Sequence, residues 1–169
     1  MTTLDALNAA DEASFVTKLG DIFERSPWIA ERAWRARPFG SVAALHAAMC
    51  GVVESATRDE QVALIAAHPD LVGKAALAGA LTTASREEQA SAGLDRLAPE
   101  EIQTFSTLNA VYRARFGFPF VICVRENRKA AILEGMRARI RNARETEIAT
   151  ALAEIAKIAR LRLDAAVSA

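Results

Sequence analysis

Histidine and cysteine are scarce in this chain, with two of each in 169 residues. Cys50 and Cys123 lie in apolar surroundings and form no Cys-x-x-Cys pair, and two histidines are too few for a typical zinc cluster. Both thiols read as small buried hydrophobes in a reducing compartment. Excess charge is also lacking: 21 basic and 21 acidic side chains cancel. That argues against a nonspecific nucleic-acid binder, which needs an excess of positive charge on one face. The basic run "RARIRNAR", residues 137–144, has two readings, a solvated helix face and a local basic patch that contacts a polyanion. No apolar run is long enough to span a membrane, and no charged-then-apolar leader opens the sequence. The closing Val167-Ser168-Ala169 is not a peroxisomal address. A cytoplasmic protein is the default expectation. Internal repeats and low-complexity linkers are absent too.

What remains is helix. The apolar fraction is 51% and the charged fraction 25%, which suits a globular domain with a substantial core. The length predicts one domain over 1–169. Phe15, Leu19 and Phe23 recur at four-residue steps and predict an amphipathic helix that stops before Pro27. Ser41 is placed to cap a helix carrying Leu45, Met49 and Val52–Val53. Another helix covers about 59–67, and Pro69 ends it at His68. Residues 70–84 read as a loop with at most one turn of helix. A helix opening at Ser85 reaches about Leu94, and Pro99 begins a longer one to Arg115. "FGFPFVICV", residues 116–124, is strand-like but has no evident partner, so an extended buried segment is expected. Helices over about 129–142 and 145–166 complete an all-α fold of about eight helices, not a simple up-down bundle.

Three places break the pattern. At about 100° per residue, Ile148, Leu152, Ile155 and Ala159 form one stripe of the last helix, and Arg162 falls on it. Glu154, Lys157, Arg160 and Asp164 fall on the other side. A guanidinium facing a core needs an anion. Three readings stand: an internal ion pair, a side chain that snorkels outward, or contact with a ligand oxygen. "SREEQ", residues 85–89, has two readings. Ser85 and Glu88 have the spacing of a capping box, while Ser85, Glu88 and Gln89 at a helix amino end also suit an anionic or amide-bearing ligand. In "AAHPDLVGK", residues 66–74, His68 either closes a helix through its charge or moves protons near neutral pH. His46, flanked by alanines in mid-helix, reads as structural or exposed.

The blocks "AAHPDL" with "GK", "SREEQASAGL", "FSTLNAVYRARFGFPFVICV" and "EIAKIARLRL" resemble the OHCU decarboxylase family, and "FERSPWIAERAW" and "RPF" fit as well. OHCU is 2-oxo-4-hydroxy-4-carboxy-5-ureidoimidazoline. The resemblance runs over nearly the whole chain in the same order. It implies an all-α enzyme without cofactor or metal, often a homodimer, that converts OHCU into (S)-allantoin and carbon dioxide during urate degradation. Carried onto this chain, the family's catalytic groups correspond to His68 and Glu88. Its substrate contacts correspond to Pro69, Ser85, Gln89, Phe118, Pro119, the backbone near Ile122, and Arg162. Glu87 is an extra acid outside the pattern. No partner nucleic acid or membrane is implied. The rival expectations are a non-catalytic helical module that binds a small anion or a partner helix, and an enzyme for a related purine-derived ring on the same scaffold.

Overall fold

In the computed structural model, residues 1–168 are described, Ala75 by its backbone alone; Ala169, the end of the carboxyl-terminal triplet, lies outside them. The order of elements is β1 (Thr2–Thr3), α1 (Leu4–Ala9), α2 (Glu12–Leu19), α3 (Trp28–Ala33), α4 (Val42–Glu54), α5 (Arg58–Ala66), α6 (Lys74–Leu77), α7 (Thr83–Ser91), α8 (Pro99–Phe116), α9 (Lys129–Arg139), α10 (Arg144–Ala166) and β2 (Val167–Ser168). Short 3₁₀ turns follow α3, at Trp34–Ala36, and precede α9, at Val124–Glu126. The all-α fold expected from periodicity is observed, with α1, α3 and α6 of six residues or fewer. By contacts the chain divides into two compact units, one of Met1–Ala67 with the chain from Ala156 onward and one of His68–Ile155.

In the first unit, side-chain caps set the helix starts. Asp11 accepts from the Ser14 N–H and starts α2, and Ser41 accepts from the Ala44 N–H at 3.0 Å and starts α4, as its position predicts. Thr57 and Glu60 make a reciprocal capping box on α5. The predicted Phe15–Phe23 helix ends sooner, at Leu19; Phe23 is buried from a turn instead. Helix α3 packs on α2 and α4. Residues Thr2 and Val167 pair in parallel register, a two-residue bridge.

In the second unit, Pro99 lies in the first turn of α8, and Glu101 reaches back to the Ala98 N–H at 2.9 Å. Gly117 ends the helix at φ 80, a left-handed conformation that glycine adopts without strain. The inward face of α8 carries Phe105, Asn109, Tyr112 and Phe116. Tyr112 packs against the rings of Phe116, Phe118 and Phe120, with centroids 4.7, 6.2 and 5.4 Å away. Residues 119–123 form neither helix nor strand, which matches the expected extended buried segment.

That segment has no ladder partner, so side chains satisfy its backbone. Arg139 Nη1 donates to the Val121 carbonyl at 2.8 Å, and Glu154 Oε2 accepts from the Cys123 N–H at 2.8 Å. Glu154 therefore faces the protein, not the solvent side that the helical wheel of α10 suggested. Arg139 is fixed in turn by Glu147, which is fully buried and also accepts from the Tyr112 hydroxyl and from Asn142. Burial, then the hydrogen bond to Glu147, push the Tyr112 phenol far above its usual range, so it stays neutral.

Candidate active site

The carboxyl end of α5 runs into His68, and Pro69 prevents the helix from continuing. His68 is only 6% exposed, while Pro69 is half-buried. The next residues make a tight turn in which the Gly73 N–H donates to the Asp70 carbonyl at 3.3 Å. A Cβ on Gly73 would lie 2.6 Å from that of Asp70, so the turn requires glycine there.

Helix α7 starts earlier than "SREEQ" suggested. Its cap is Thr82, whose hydroxyl accepts from the Ser85 N–H at 3.2 Å. Ser85 sits three residues inside the helix, so the capping-box reading of Ser85 and Glu88 is set aside. The buried residues of α7 are Ser85, Glu88 and Gln89. At spacings of three and four they form one inward stripe, and all three are polar. A stripe chosen for packing would be apolar, because burying polar groups costs free energy unless each is satisfied.

Gln89 has a defined orientation. Its Oε1 accepts from the Val72 N–H at 3.1 Å, so the amide carbonyl faces the turn after His68 and the NH₂ end is the one available as a donor elsewhere. Helix α7 also lies against the Val124–Glu126 turn, which directly follows the 119–123 segment. Gln89 thus ties α7 to the turn that follows His68, and α7 lies on the turn that follows the 119–123 segment. Phe118 and Pro119 are buried, with Phe118 built into the Tyr112 cluster, and Ile122 is half-exposed. A cavity of about 470 Å³ in the second unit is lined mainly by apolar groups, including Leu77, Leu81, Leu94 and Ile102, with Arg86, Gln89 and Asp95 as its polar side chains.

Arg162 belongs to the first unit. It is buried on the inward stripe of α10, as its phase predicts. Its Nη2 lies 2.9 Å from Glu24 Oε2, with side chains 8% and 2% exposed, and Nη1 donates to the Asp21 carbonyl at 3.3 Å. The anion required by the guanidinium is thus supplied by the protein. Glu24 was missed in the sequence because it follows Phe23 in a turn, where no helical phase marks it as inward. Asn109 was also missed, although its place on the apolar face of α8, between Phe105 and Tyr112, could have flagged it.

His46 is half-buried, its Nε2 bonded to the Ala156 carbonyl at 2.8 Å, which supports a structural role. Cys123 is buried and Cys50 half-buried, and burial raises both thiol pKa values above the usual range. Among the described residues no group of three or more His, Cys, Asp or Glu could hold a metal ion, and no helix is long and apolar enough to cross a membrane.

The OHCU decarboxylase family model matches residues 8–164. The chain belongs to the OHCU decarboxylase family. It is 45% identical over 162 residues to the 2-oxo-4-hydroxy-4-carboxy-5-ureidoimidazoline decarboxylase of Halalkalicoccus jeotgali, covering 96% of this chain and 90% of that protein. It is 47% identical over 161 residues to the protein of the same name from Haloferax volcanii, covering 95% and 94%. A crystal structure of (S)-allantoin synthase superposes with a TM-score of 0.78 at 28% identity over 99% of this chain and 54% of that one. An OHCU decarboxylase crystallised in the presence of (S)-allantoin shares the fold, with a TM-score of 0.70 at 19% identity over 92% of this chain and 97% of that one. Family membership gives the polar stripe of α7 a chemical context that its geometry alone does not supply.

Proposed function

We propose that this chain decarboxylates OHCU to (S)-allantoin and carbon dioxide, with His68 carrying the proton. One observation carries the site assignment: in a member of this family, the inward face of α7 is wholly polar, through Ser85, Glu88 and Gln89, and Gln89 is tied to the turn that follows His68.

The chemistry follows from the substrate. Heterolysis of the bond to the carboxylate releases carbon dioxide and leaves an electron pair on the carbon that also bears the hydroxyl. That pair forms a double bond to the neighbouring carbon, and the adjacent C=N bond shifts its own pair to nitrogen, which takes up a proton. The substrate thus contains its own electron sink, so the step does not require a Schiff base or a metal. The product of this step is an enol. Its hydroxyl must lose a proton, and the neighbouring carbon must gain one on a single face.

His68, with Glu88 to orient it, takes the hydroxyl proton and returns one to that carbon, a task suited to imidazole near neutral pH. Ser85 and the NH₂ end of Gln89 hold the rim of the ring, together with Pro69, Phe118, Pro119 and the backbone near Ile122. Arg162 binds ring or ureido oxygens; a guanidinium has five donors, so this role is compatible with its ion pair to Glu24. Positioning together with proton transfer can supply several powers of ten in rate. A homodimer is carried over from the resemblance and is tested by light scattering.

The test is to incubate the protein with freshly prepared OHCU while following carbon dioxide release and circular dichroism. Accumulation of one allantoin enantiomer, at a rate proportional to enzyme, supports the proposal. Saturable binding without carbon dioxide release would favour the non-catalytic module.

A further inference from the structure

Every residue of the turn that follows His68 and Pro69 is held from outside or by the turn itself. The Asp70 carboxylate receives Arg113 Nε at 2.9 and 3.0 Å, the Leu71 carbonyl receives Asn109 Nδ2 at 2.8 Å, and the Val72 N–H is accepted by Gln89. Gly73 closes the turn onto the Asp70 carbonyl. Asn109 and Arg113 are one turn apart on α8 and face the same stretch of chain. Meanwhile Val72 has φ 53, a left-handed conformation that a β-branched side chain avoids, and it is buried at 3% exposure. Such a conformation persists only where surrounding contacts over-determine it, and such sites concentrate around functional groups.

We propose that Asn109 and Arg113 are positioning residues for the reaction, holding the His68 imidazole in place through the strained Asp70–Gly73 turn. The link between turn and imidazole is short and stiff. Pro69 has its φ locked by its ring, and its presence restricts the backbone of His68. A shift of Asp70 or Leu71 is therefore carried across two residues with few soft torsions to absorb it. Asn109 is also poorly suited to a role in packing alone. It is 6% exposed on an otherwise aromatic helix face, and its Oδ1 is buried without a hydrogen-bond partner. An apolar residue would fill that place without leaving a buried acceptor unsatisfied, so the amide is retained for what its Nδ2 holds. This inference rests on His68 being the proton carrier.

The test uses Asn109→Ala and Arg113→Gln in the full chain. The prediction for Asn109→Ala is a kcat lower by about tenfold or more with KM changed less than about twofold, since small misplacement of a catalytic group costs rate rather than binding. Arg113→Gln, whose side chain is 45% exposed and whose loss does not open the core, is predicted to lower kcat several-fold in the same pattern. With two histidines in the chain, imidazole resonances report position directly: those of His68 move in both variants and those of His46 do not. Unchanged kcat in both variants, or a fall in kcat with His68 resonances in their native positions, overturns the proposal. If Asn109→Ala does not fold, Arg113→Gln decides by the same two measurements. Native turnover in His68→Asn would instead sink the assignment of His68, and displaced His68 resonances in Arg113→Gln would still show the brace to exist.

Discussion

Arg162 shows how helical phase can forecast a buried ion pair. Its stripe predicted a buried guanidinium that needs an anion, and Glu24 meets that need at 2.9 Å. Removing one member of a buried pair strands the other charge, at a cost of about 3–5 kcal/mol, whereas replacing both with apolar groups is often neutral. Arg162→Met alone is therefore predicted to lower stability by that amount in urea unfolding, and Arg162→Met with Glu24→Leu to recover most of it. If Arg162 touches substrate, the double variant stays weak for OHCU, with KM raised at least about tenfold. Recovery of both stability and KM would reduce Arg162 to a structural ion pair. His68 and Arg162 were legible because each breaks a rule that its neighbours obey. Glu24 was not singled out because it lies in a turn without helical phase, and the partners that mark it and Asn109 (Arg162 and the Leu71 carbonyl) lie far away along the chain.

On α7 the capping residue and the buried polar stripe are different residues. Thr82 is the cap, so Thr82→Ala should cost about 1 kcal/mol of stability with little effect on turnover of the folded protein. Ser85→Ala should do the reverse, sparing stability more than activity. Equal stability losses without loss of activity in Ser85→Ala would return Ser85 to a purely structural role. The "SREEQ" spacing suggested the wrong cap because Thr82 and Ser85 are both good N-cap residues three positions apart, and a pattern alone does not choose between them. Other element boundaries were legible where one residue type decides, at Ser41 before α4, Pro99 in the first turn of α8 and the proline that stops α5, but not at Pro27, well short of which α2 ends. The 119–123 segment was legible as extended but not in its anchoring, which depends on Arg139 and Glu154 from two later helices. Arg139→Met is predicted to lower stability and to increase hydrogen exchange at residues 120–123; native protection there would contradict this anchoring.

For the whole molecule, fold class followed from periodicity because helices dominate and several of them, such as α2, α4 and α8, bury a recognisable stripe. The division into two compact units did not, since α10 contributes to both and no linker marks the change. Acid stability depends on links between helices. Glu60 of α5 is paired with Arg32 of α3, and this hydrogen bond, aided by the Thr57 N–H, draws the Glu60 carboxyl from 4.5 down to about 2. A carboxyl depressed on folding stabilises above its unfolded pKa, so its contribution is present at neutral pH and lost as pH falls from about 4.5 toward about 2. Glu60→Gln should flatten that part of the stability profile, and an identical acid limb in both proteins would contradict it.

The central claim is a directed proton delivery, and product handedness reports it most directly. Water has no preference between the two faces of the enol, so only a fixed donor yields one hand. Chiral chromatography of allantoin formed from fresh OHCU should show the S enantiomer alone with the native protein and both hands with His68→Asn, its helical circular dichroism intact. A single S product from His68→Asn, formed at the native rate, would contradict the account.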